Sequence, residues 1–508
     1  MRNVSKVWLL LLVIAGLTRH SAAQAPAPSS KPASASALRQ VAYVKASNPG
    51  EEDHFGHAIA LSGDGATLAV GAPMESSAAR GINGKGENEP GDSSGAVYVY
   101  SRRGTSWAQQ AYIKASNPGS DDQFGFAVTL SGDGNTLAVS APYEDSAATG
   151  INGNQADNSM ANSGAVYVFS RAGSTWSQQA YVKASNTGEK DEGDEFGYSI
   201  ALSDDGNTLA VGAIGEDSAA KGINGNQADN SANGAGAVYV FTRSGGTWAQ
   251  QAYVKSSNTA RNIMYGYSVS LSANGDTMAV GEFDADRGKG ALYVLTRSGG
   301  TWSQQARLQA SNAEPQDSMG CWVAISNDGN TIAAGSLDED SLLTGIQPPD
   351  AGANDEKTDK SAGAAYVFVR NGTTWSQQAF IKASNTGEDD WFGLHLALSG
   401  DGNTLAVGAS NEDSAAQGIN GKQDDNSADE AGAVYFFTRN GTTWKQDYYV
   451  KGSNTQKFDE FGSALALSRD GKTMAVGAHF QSGGAKGVNG NEADKSVPKS
   501  GAAYVFVR

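Results

Sequence analysis

The sequence predicts an all-β fold, a seven-bladed β-propeller made of four-stranded antiparallel blades. Three observations support this prediction: a unit that recurs about every 70 residues, four strand-like runs inside each unit, and an unpaired strand at one end of the series. A Phe-Gly pair marks each unit, and Tyr or Met replaces its Phe in two copies. The marks begin at Phe55, Phe124, Phe196, Tyr265, Met319, Phe392 and Phe461.

The second unit shows the four strand-like runs most plainly. They read "FGFAVTLS", "NTLAVSAP", "GAVYVFSR" and "TWSQQAYVKAS", and we call them strands a, b, c and d. The a–b link is a tight turn around Asp-Gly, and the c–d link is a short turn that contains Gly. Strand c is almost wholly apolar, as expected for a strand covered on both faces. A covered four-stranded sheet that repeats seven times is typical of a propeller.

The two ends of the repeat region predict how the ring closes. The seventh unit has no strand d after its strand c, and a strand d without a unit of its own stands at residues 38–47. We expect these two to pair in one blade, which leaves few open sheet edges. A Trp opens strand d in the other six blades, and we expect it to pack between blades. These residues are Trp107, Trp176, Trp248, Trp302, Trp375 and Trp444.

The combined pattern "FG…LSGDGNTLAVGAP…GAVYVF" resembles the FG-GAP repeat of integrin α-subunit propellers and their bacterial relatives. The resemblance spans residues 38–508 and implies a seven-bladed propeller used for binding, often in adhesion. Many repeats of that family hold calcium in the a–b loop. Here the loop is "SGDGNT", which supplies only one or two carboxylates, so we do not expect calcium at that place.

The start of the chain predicts export. Arg2 and Lys6 precede an apolar run at 7–17, and "SAA" ends a signal peptide that spans residues 1–23. Residues 24–37 read as a Pro/Ala/Ser-rich linker. We therefore expect a protein that is secreted, at the cell surface or periplasmic, without a transmembrane segment. Its net charge of −17 argues against nucleic acid as a partner and favours cations or basic partners.

The long loops are expected on one face of the disc. Because successive strands are antiparallel, the short a–b and c–d turns share one face, and the b–c and d–a loops share the other, which we call the long-loop face. The acidic b–c loop "EDSAATGINGNQADNS" at 144–159 returns nearly unchanged at 216–231 and 412–427. Two interpretations stay open: Ca²⁺ sites, or solvated loops held by Asn and Asp turns. The candidate metal ligands are Glu144, Asp145, Asn154, Asp157, Asn158, Glu216, Asp217, Asn226, Asp229, Asn230, Glu412, Asp413, Asp425 and Asn426.

One position in the ring departs from the repeat. The fourth unit has a short b–c loop at 281–293 and a d–a link at 258–266 that is not acidic, and the fifth has the longest b–c loop, at 337–363. A gap beside a tall loop is a candidate for ligand contact, although the unit could simply have lost its loop. The candidate ligand-binding residues are Arg261, Ile263, Met264 and Trp391.

The leading functional hypothesis is an exported, non-enzymatic binding or adhesion module that presents its acidic long-loop face to a protein or glycan partner. No His lies in a nucleophile motif. The alternatives are a polysaccharide lyase or hydrolase with its site in the central channel, or a structural envelope component. His57 and His395 hold near-equivalent strand a positions and are expected to line that channel, and Cys321 is expected near it as a buried apolar residue.

Overall fold

A computed structural model describes residues 37–85, 92–188, 193–349, 351 and 360–508. It contains seven separate antiparallel sheets, one for each sequence unit, which confirms the predicted seven-bladed propeller. The signal peptide and nearly all of the linker lie outside the described residues. Among the described residues, no helix is both long enough and apolar enough to cross a bilayer.

Each blade has strands a, b, c and d in that order. Blade 1 is Ala58–Leu61, Thr67–Ala72, Ala96–Arg103 and Ser106–Ile113; blade 2 is Val128–Leu130, Thr136–Ala141, Ala165–Ala172 and Thr175–Val182. Blade 3 is Phe196–Leu202, Thr208–Ala213, Ala237–Ser244 and Thr247–Val254; blade 4 is Tyr265–Leu271, Thr277–Glu282, Ala291–Ser298 and Thr301–Leu308. Blade 5 is Met319–Ile325, Thr331–Ser336, Ala364–Asn371 and Thr374–Ile381; blade 6 is Phe392–Leu398, Thr404–Ala409, Ala433–Asn440 and Thr443–Val450. Blade 7 is Ala464–Leu467, Thr473–Ala478, Ala502–Val507 and Arg39–Val44.

Two short elements interrupt this pattern. A helical turn, Ala285–Gly288, lies in the b–c link of blade 4. A two-residue strand, Ile346–Gln347, adds to the outer edge of blade 5. Both belong to b–c links, between strands b and c of their blades.

The ring closes as the sequence predicts. Strand Arg39–Val44 runs antiparallel to Ala502–Val507, and Tyr43 stands opposite Tyr504. The seventh blade thus combines the two ends of the repeat region, and this pairing ties them together.

The core lies between consecutive blades. The indole N–H of Trp176 donates to Gln110 Oε1 of the preceding blade at 2.9 Å, and Arg171 lies over its ring at 5.2 Å. The Arg171 guanidinium also donates to Gln110 Oε1, at 3.2 Å. Blades 3 to 6 repeat this Trp–Gln bond. The predicted role of these tryptophans in packing between blades is confirmed.

The junction between blades 7 and 1 lacks that bond. Val41 occupies the place of Gln110, and the buried indole N–H of Trp107 has no hydrogen-bond partner among the described residues. We therefore expect Val41→Gln to raise the free energy of unfolding by about 1 kcal/mol, because it gives Trp107 an acceptor. Urea denaturation measures this change. The matched control, Gln110→Val, should lower the free energy of unfolding, and the prediction fails if both variants are destabilised equally.

The Phe-Gly mark has a structural cause. Phe124 packs edge-on against Tyr167 of its own blade at a centroid distance of 5.2 Å. Gly125 follows at a φ of +99°, a conformation that favours glycine. Its carbonyl oxygen would lie 2.0 Å from a Cβ on Gly71, in strand b of the preceding blade. The mark of one blade therefore meets a strand b glycine of its neighbour.

The short-turn face narrows the central channel. The seven a–b turns form a closed ring in which each donates one backbone N–H to the carbonyl of the next, at 2.9 or 3.0 Å. The Arg469 side chain passes Gly132 and pairs with Asp204, three positions away around this ring. The ring runs through Gly63, Gly132, Asp204, Ala273, Asn327, Gly400 and Arg469.

Candidate functional site at the central channel

A cavity of about 290 Å³ lies on the propeller axis. It is lined by the first residues of strand a in successive blades, just after each Phe-Gly mark, so its wall has three levels. The level closest to the marks holds His57, Phe126, Tyr198, Tyr267, Cys321 and Leu394. The middle level holds Ala58, Ala127, Ser199, Ser268, Trp322, His395 and Ala464. The lowest level, toward the short-turn face, holds Ile59, Val128, Ile200, Val269, Val323 and Leu465.

Aromatic rings follow one another around the top of this wall. We call His57, Phe126, Tyr198 and Tyr267, together with Phe283, which stacks on Tyr267 but is not part of the wall, the aromatic belt. Neighbouring rings in the belt are 5.2, 5.4, 5.1 and 4.5 Å apart, and the last pair is stacked. This places a continuous set of aromatic rings along blades 1 to 4.

A second aromatic contact lies on the remaining side of the channel. The rings of Trp322 and His395 are 4.2 Å apart. Equivalent positions in other blades hold only Ala or Ser, such as Ala58 and Ser199. Trp322 is 36 % exposed although it lies inside the channel, so its ring faces the cavity.

Three histidines gather at the entrance between blades 7 and 1. The ring of His479 lies 5.6 Å from those of both His54 and His57. Its Nδ1 lies 2.7 Å from Ser463 Oγ, and its Nε2 lies 3.5 Å from a Glu460 carboxylate oxygen. Because His54 and Phe480 belong to a d–a link and a b–c loop and their rings are 4.8 Å apart, this entrance is on the long-loop face.

Burial disfavours the charged forms of these groups. It lowers the pKa of His54 and of His57 to about 4, and the pKa of His479 falls well below its usual value. Burial also raises the pKa of Glu460 to about 7, and Glu430 adds to this rise. In the described part of the chain, no group of three or more His, Cys, Asp or Glu side chains is arranged to hold a metal ion.

The glutamate of the repeated acidic loop is not on the surface. Glu144 is 1 % exposed, and its carboxylate pairs with Lys183, the residue after strand d, at 2.8 Å. It also accepts hydrogen bonds from the Tyr181 hydroxyl at 2.7 Å and from Asn117 Nδ2 at 3.1 Å. The same ion pair recurs as Glu75–Lys114, Glu216–Lys255, Glu339–Lys382 and Glu412–Lys451.

The other candidate metal ligands stabilise the loop itself. In blade 2, Asp145 accepts the Asn162 backbone N–H at 3.0 Å, and Asp157 accepts that of Ala147 at 3.2 Å. In the other two loops Asp217, Asp229 and Asp413 accept backbone N–H groups in the same way. The loop amides Asn154 and Asn226 each accept a backbone N–H two residues on. Asn158, Asn230 and Asn426 are exposed, and Asp425 is partly exposed.

As placed, these residues do not fit a calcium ion. Calcium needs six to eight oxygens around one point. Here the glutamate points into the blade toward a lysine, while the aspartates and amides bond to the backbone of their own loop. The set is divided between two places, and the calcium interpretation remains an untested hypothesis.

The candidate ligand-binding residues beside blade 4 differ in exposure and position. Met264 and Trp391 are equivalent, each directly before a Phe-Gly mark, partly buried and with φ values of 51° and 56°. Ile263 is only 7 % exposed. Arg261 is exposed and donates to the Ser231 carbonyl at 3.2 Å. Met264 and Trp391 thus share the position of His54 at the channel entrance.

Sequence reasoning placed His57, His395 and Cys321 at the channel, and the cavity confirms this. It missed the aromatic belt and Trp322. Two signals were present in the sequence. The residue after the Phe-Gly mark is aromatic in the first four units, counting His57. At the next position most units have Ala or Ser, whereas the fifth has Trp322. His479 gave no such signal, since it lies after strand b.

Among the described residues, six buried aspartates lie in the d–a links, and they predict a pH effect. Asp122 accepts the Gly119 N–H at 2.7 Å, and burial raises its pKa from 3.8 to about 7. A folded-state pKa above the unfolded value means that this group's contribution to stability falls as pH rises from about 4 to 7. Asp122→Asn keeps the acceptor without the charge. We expect the free energy of unfolding of the variant, taken relative to wild type, to be about 2–4 kcal/mol higher at pH 8 than at pH 4. Denaturation curves at both pH values test this, and a pH-independent difference would contradict it.

Comparisons with known proteins agree with the fold. The FG-GAP repeat family matches residues 38–100, 107–169, 176–241, 248–295, 302–368 and 375–437, which is more than half of the chain. The chain therefore belongs to the FG-GAP repeat family, and the structure adds a seventh blade to the six matched repeats. No curated protein sequence gave a significant match.

Two solved structures are similar in fold only. A putative 6-phosphogluconolactonase from Bacteroides uniformis has a TM-score of 0.45 at 11% identity, over 79% of this chain and 86% of that one. The periplasmic gluconolactonase PpgL of Pseudomonas aeruginosa has a TM-score of 0.46 at 14% identity, over 83% of this chain and 98% of that one. At these values the likeness carries no information about a reaction or a substrate.

Proposed function

We propose that the mature chain is an exported, non-enzymatic binding or adhesion module that presents its long-loop face to a protein or glycan partner. One observation carries this proposal: the axial cavity has an aromatic wall and its entrance is on the long-loop face. Pockets with apolar and aromatic walls and a few polar groups are the usual form of a binding site. The short-turn face is bridged by Arg469 and Asp204.

Calcium is not needed for this proposal. The acidic loops already neutralise their buried glutamates with lysines. We therefore expect calorimetric titration of calcium into chelator-treated protein to give no saturable heat. A stoichiometric heat with a rise in melting temperature would show that the loops rearrange around the ion.

Printed arrays of glycans and extracellular proteins test the binding function. We expect the mature protein to bind at least one surface saturably and to release it chemically unchanged. Soluble protein should compete with the immobilised form. If the protein binds none of the surfaces saturably, the proposal is overturned.

One observation favours hydrolysis as a second function. At the entrance, the His479 ring lies between the Ser463 hydroxyl and the Glu460 carboxylate, which is the order of a nucleophile, a base and an orienting carboxylate. Two facts weigh against it: Ser463 is only 4 % exposed, and burial among other histidines makes His479 a weak base. A fluorophosphonate probe decides between the two functions. Labelling of wild type that is lost in Ser463→Ala would favour the hydrolase, and no labelling is expected.

A further inference from the structure

We infer that the axial cavity takes one neutral sugar ring, the terminal residue of a glycan partner. This inference rests on the proposed binding function and assigns a ligand class to its central site. It depends on the size of the cavity, the aromatic surfaces in it, and the neutrality of its polar groups.

The size of the cavity fits a single ring. Its volume of about 290 Å³ is near the lower end of the roughly 300–1,000 Å³ range of ligand pockets. Below the middle level the wall is aliphatic, with Ile59, Val128 and Val269 among its residues, and the ring of a–b turns lies beyond it. A ligand must therefore enter from the long-loop face and end inside the cavity. The end residue of a chain can do so, whereas an internal segment of a polymer cannot pass through.

Aromatic faces are present on two sides of the cavity. The aromatic belt covers blades 1 to 4, and the Trp322–His395 pair lies in blades 5 and 6. A sugar ring has C–H groups on its faces, which pack on aromatic rings, and hydroxyls at its edge. Trp322 is the largest exposed aromatic side chain in the cavity and offers such a surface.

The polar groups of the wall match hydroxyls. Ser199 and Ser268 donate to the Gly266 and Gly320 carbonyls at 2.7 and 2.8 Å, and the partly exposed Ser199 oxygen can still accept. His395 Nδ1 is buried, and no group in the described part of the chain bonds to it. A hydrocarbon would leave His395 Nδ1 unsatisfied, whereas a sugar hydroxyl can both donate and accept. A few polar groups combined with aromatic faces thus favour a carbohydrate over a purely apolar guest.

The charges select a neutral sugar. None of the described residues that line the cavity is Lys, Arg, Asp or Glu. Burial lowers the pKa of His57 to about 4 and that of His395 to about 3, so neither supplies a positive charge at neutral pH. An acidic sugar would enter without a cationic partner, and the chain's net charge of −17 would repel it.

Calorimetric titration of the mature protein tests the inference. The probes are glucose, galactose, N-acetylglucosamine and, as an anionic control, glucuronate. We expect one neutral sugar to bind with a stoichiometry near one and glucuronate to give no heat. Trp322→Ala restores the Ala found at this position in blades 1, 2 and 7, so the variant is expected to fold, and it should bind at least tenfold more weakly. Phe458→Ala removes an aromatic ring that is 52 % exposed and does not line the cavity, and it should bind as wild type does.

The outcomes separate this inference from the proposed function. The inference is supported if the free sugar inhibits array binding and the Trp322→Ala variant loses it. Binding to protein spots alone opposes the inference. If array binding survives both excess sugar and Trp322→Ala, the inference is overturned while the binding function stands. Equal sugar affinity in wild type and Trp322→Ala, or preferential binding of glucuronate, would also overturn it.

Discussion

Replacing Glu216 by Gln is expected to lower the free energy of unfolding by about 3–5 kcal/mol, because it leaves a buried lysine without its carboxylate. The Lys255 and Glu216 side chains are both fully buried and lie 2.5 Å apart. In blade 2, Lys183 has a second acceptor in Ser163 Oγ at 2.7 Å, but blade 3 has Ala235 at that place. Urea denaturation near neutral pH measures the loss.

The repeat supplies graded controls for this prediction. Glu144→Gln should cost less than Glu216→Gln, and adding Ala235→Ser to Glu216→Gln should recover part of the loss. Blade 7 already has Gln481 in the glutamate's place, where Lys45 also donates to Ser500 Oγ at 2.7 Å and to the Gly501 carbonyl at 2.5 Å. Equal losses in blades 2 and 3 would contradict the role of the second acceptor.

Replacing Gly71 by Ala is expected to lower the free energy of unfolding by about 2–4 kcal/mol. The new Cβ would lie 2.0 Å from the carbonyl oxygen of Gly125 in the next blade and 3.3 Å from the Ala58 Cβ. Because the close neighbour is backbone, the two blades must separate to admit a methyl group. A melting curve and urea denaturation both report the effect.

Blade 2 offers the matched control. Ser140 occupies the equivalent place, and there the side chain faces Gly197 of blade 3. Ser140→Gly should change the free energy of unfolding by less than about 1 kcal/mol. If Gly71→Ala were as mild as this control, close glycine contact between blades would not be the reason for the repeated motif.

The fold could be predicted from the sequence because its signals are local and repeated. Alternating strand patterns, Asp-Gly turns and the Phe-Gly mark lie within single units, and seven copies reinforce one another. Ring closure followed from one unpaired strand at residues 38–47. The structure places Arg39–Val44 in the predicted blade.

The chemistry of the acidic loops could not be predicted in the same way. Composition marks Glu144 as a solvent-facing carboxylate, since ionised residues are rarely fully buried unless paired. Its partner, Lys183, lies 39 residues along the chain, and the same separation holds for the pairs of blades 1, 3 and 6. A search for charges at a fixed separation within the repeat would have found these pairs.

The channel site was only partly predictable. Equivalent strand a positions identify which residues line the axis, and this was enough to place His57 and His395. The contact between His479 and Ser463 depends on where a b–c loop begins relative to a strand a, which hydrophobic patterns do not encode. A site made from residues of several blades can therefore be identified only when the arrangement of the blades in the ring is known.

Masking one face of the disc tests the central claim most directly. The single cysteine, Cys321, is buried, so a new surface thiol can be joined selectively to a polyethylene glycol chain. Thr149→Cys places it on a b–c loop of the long-loop face, and Ser174→Cys places it on a c–d turn of the other face; both positions are exposed. We predict that the chain at position 149 weakens binding to the best array surface by about tenfold or more, while the chain at 174 has no effect. Equal binding by the two conjugates, or loss only at 174, would contradict the assignment of the long-loop face.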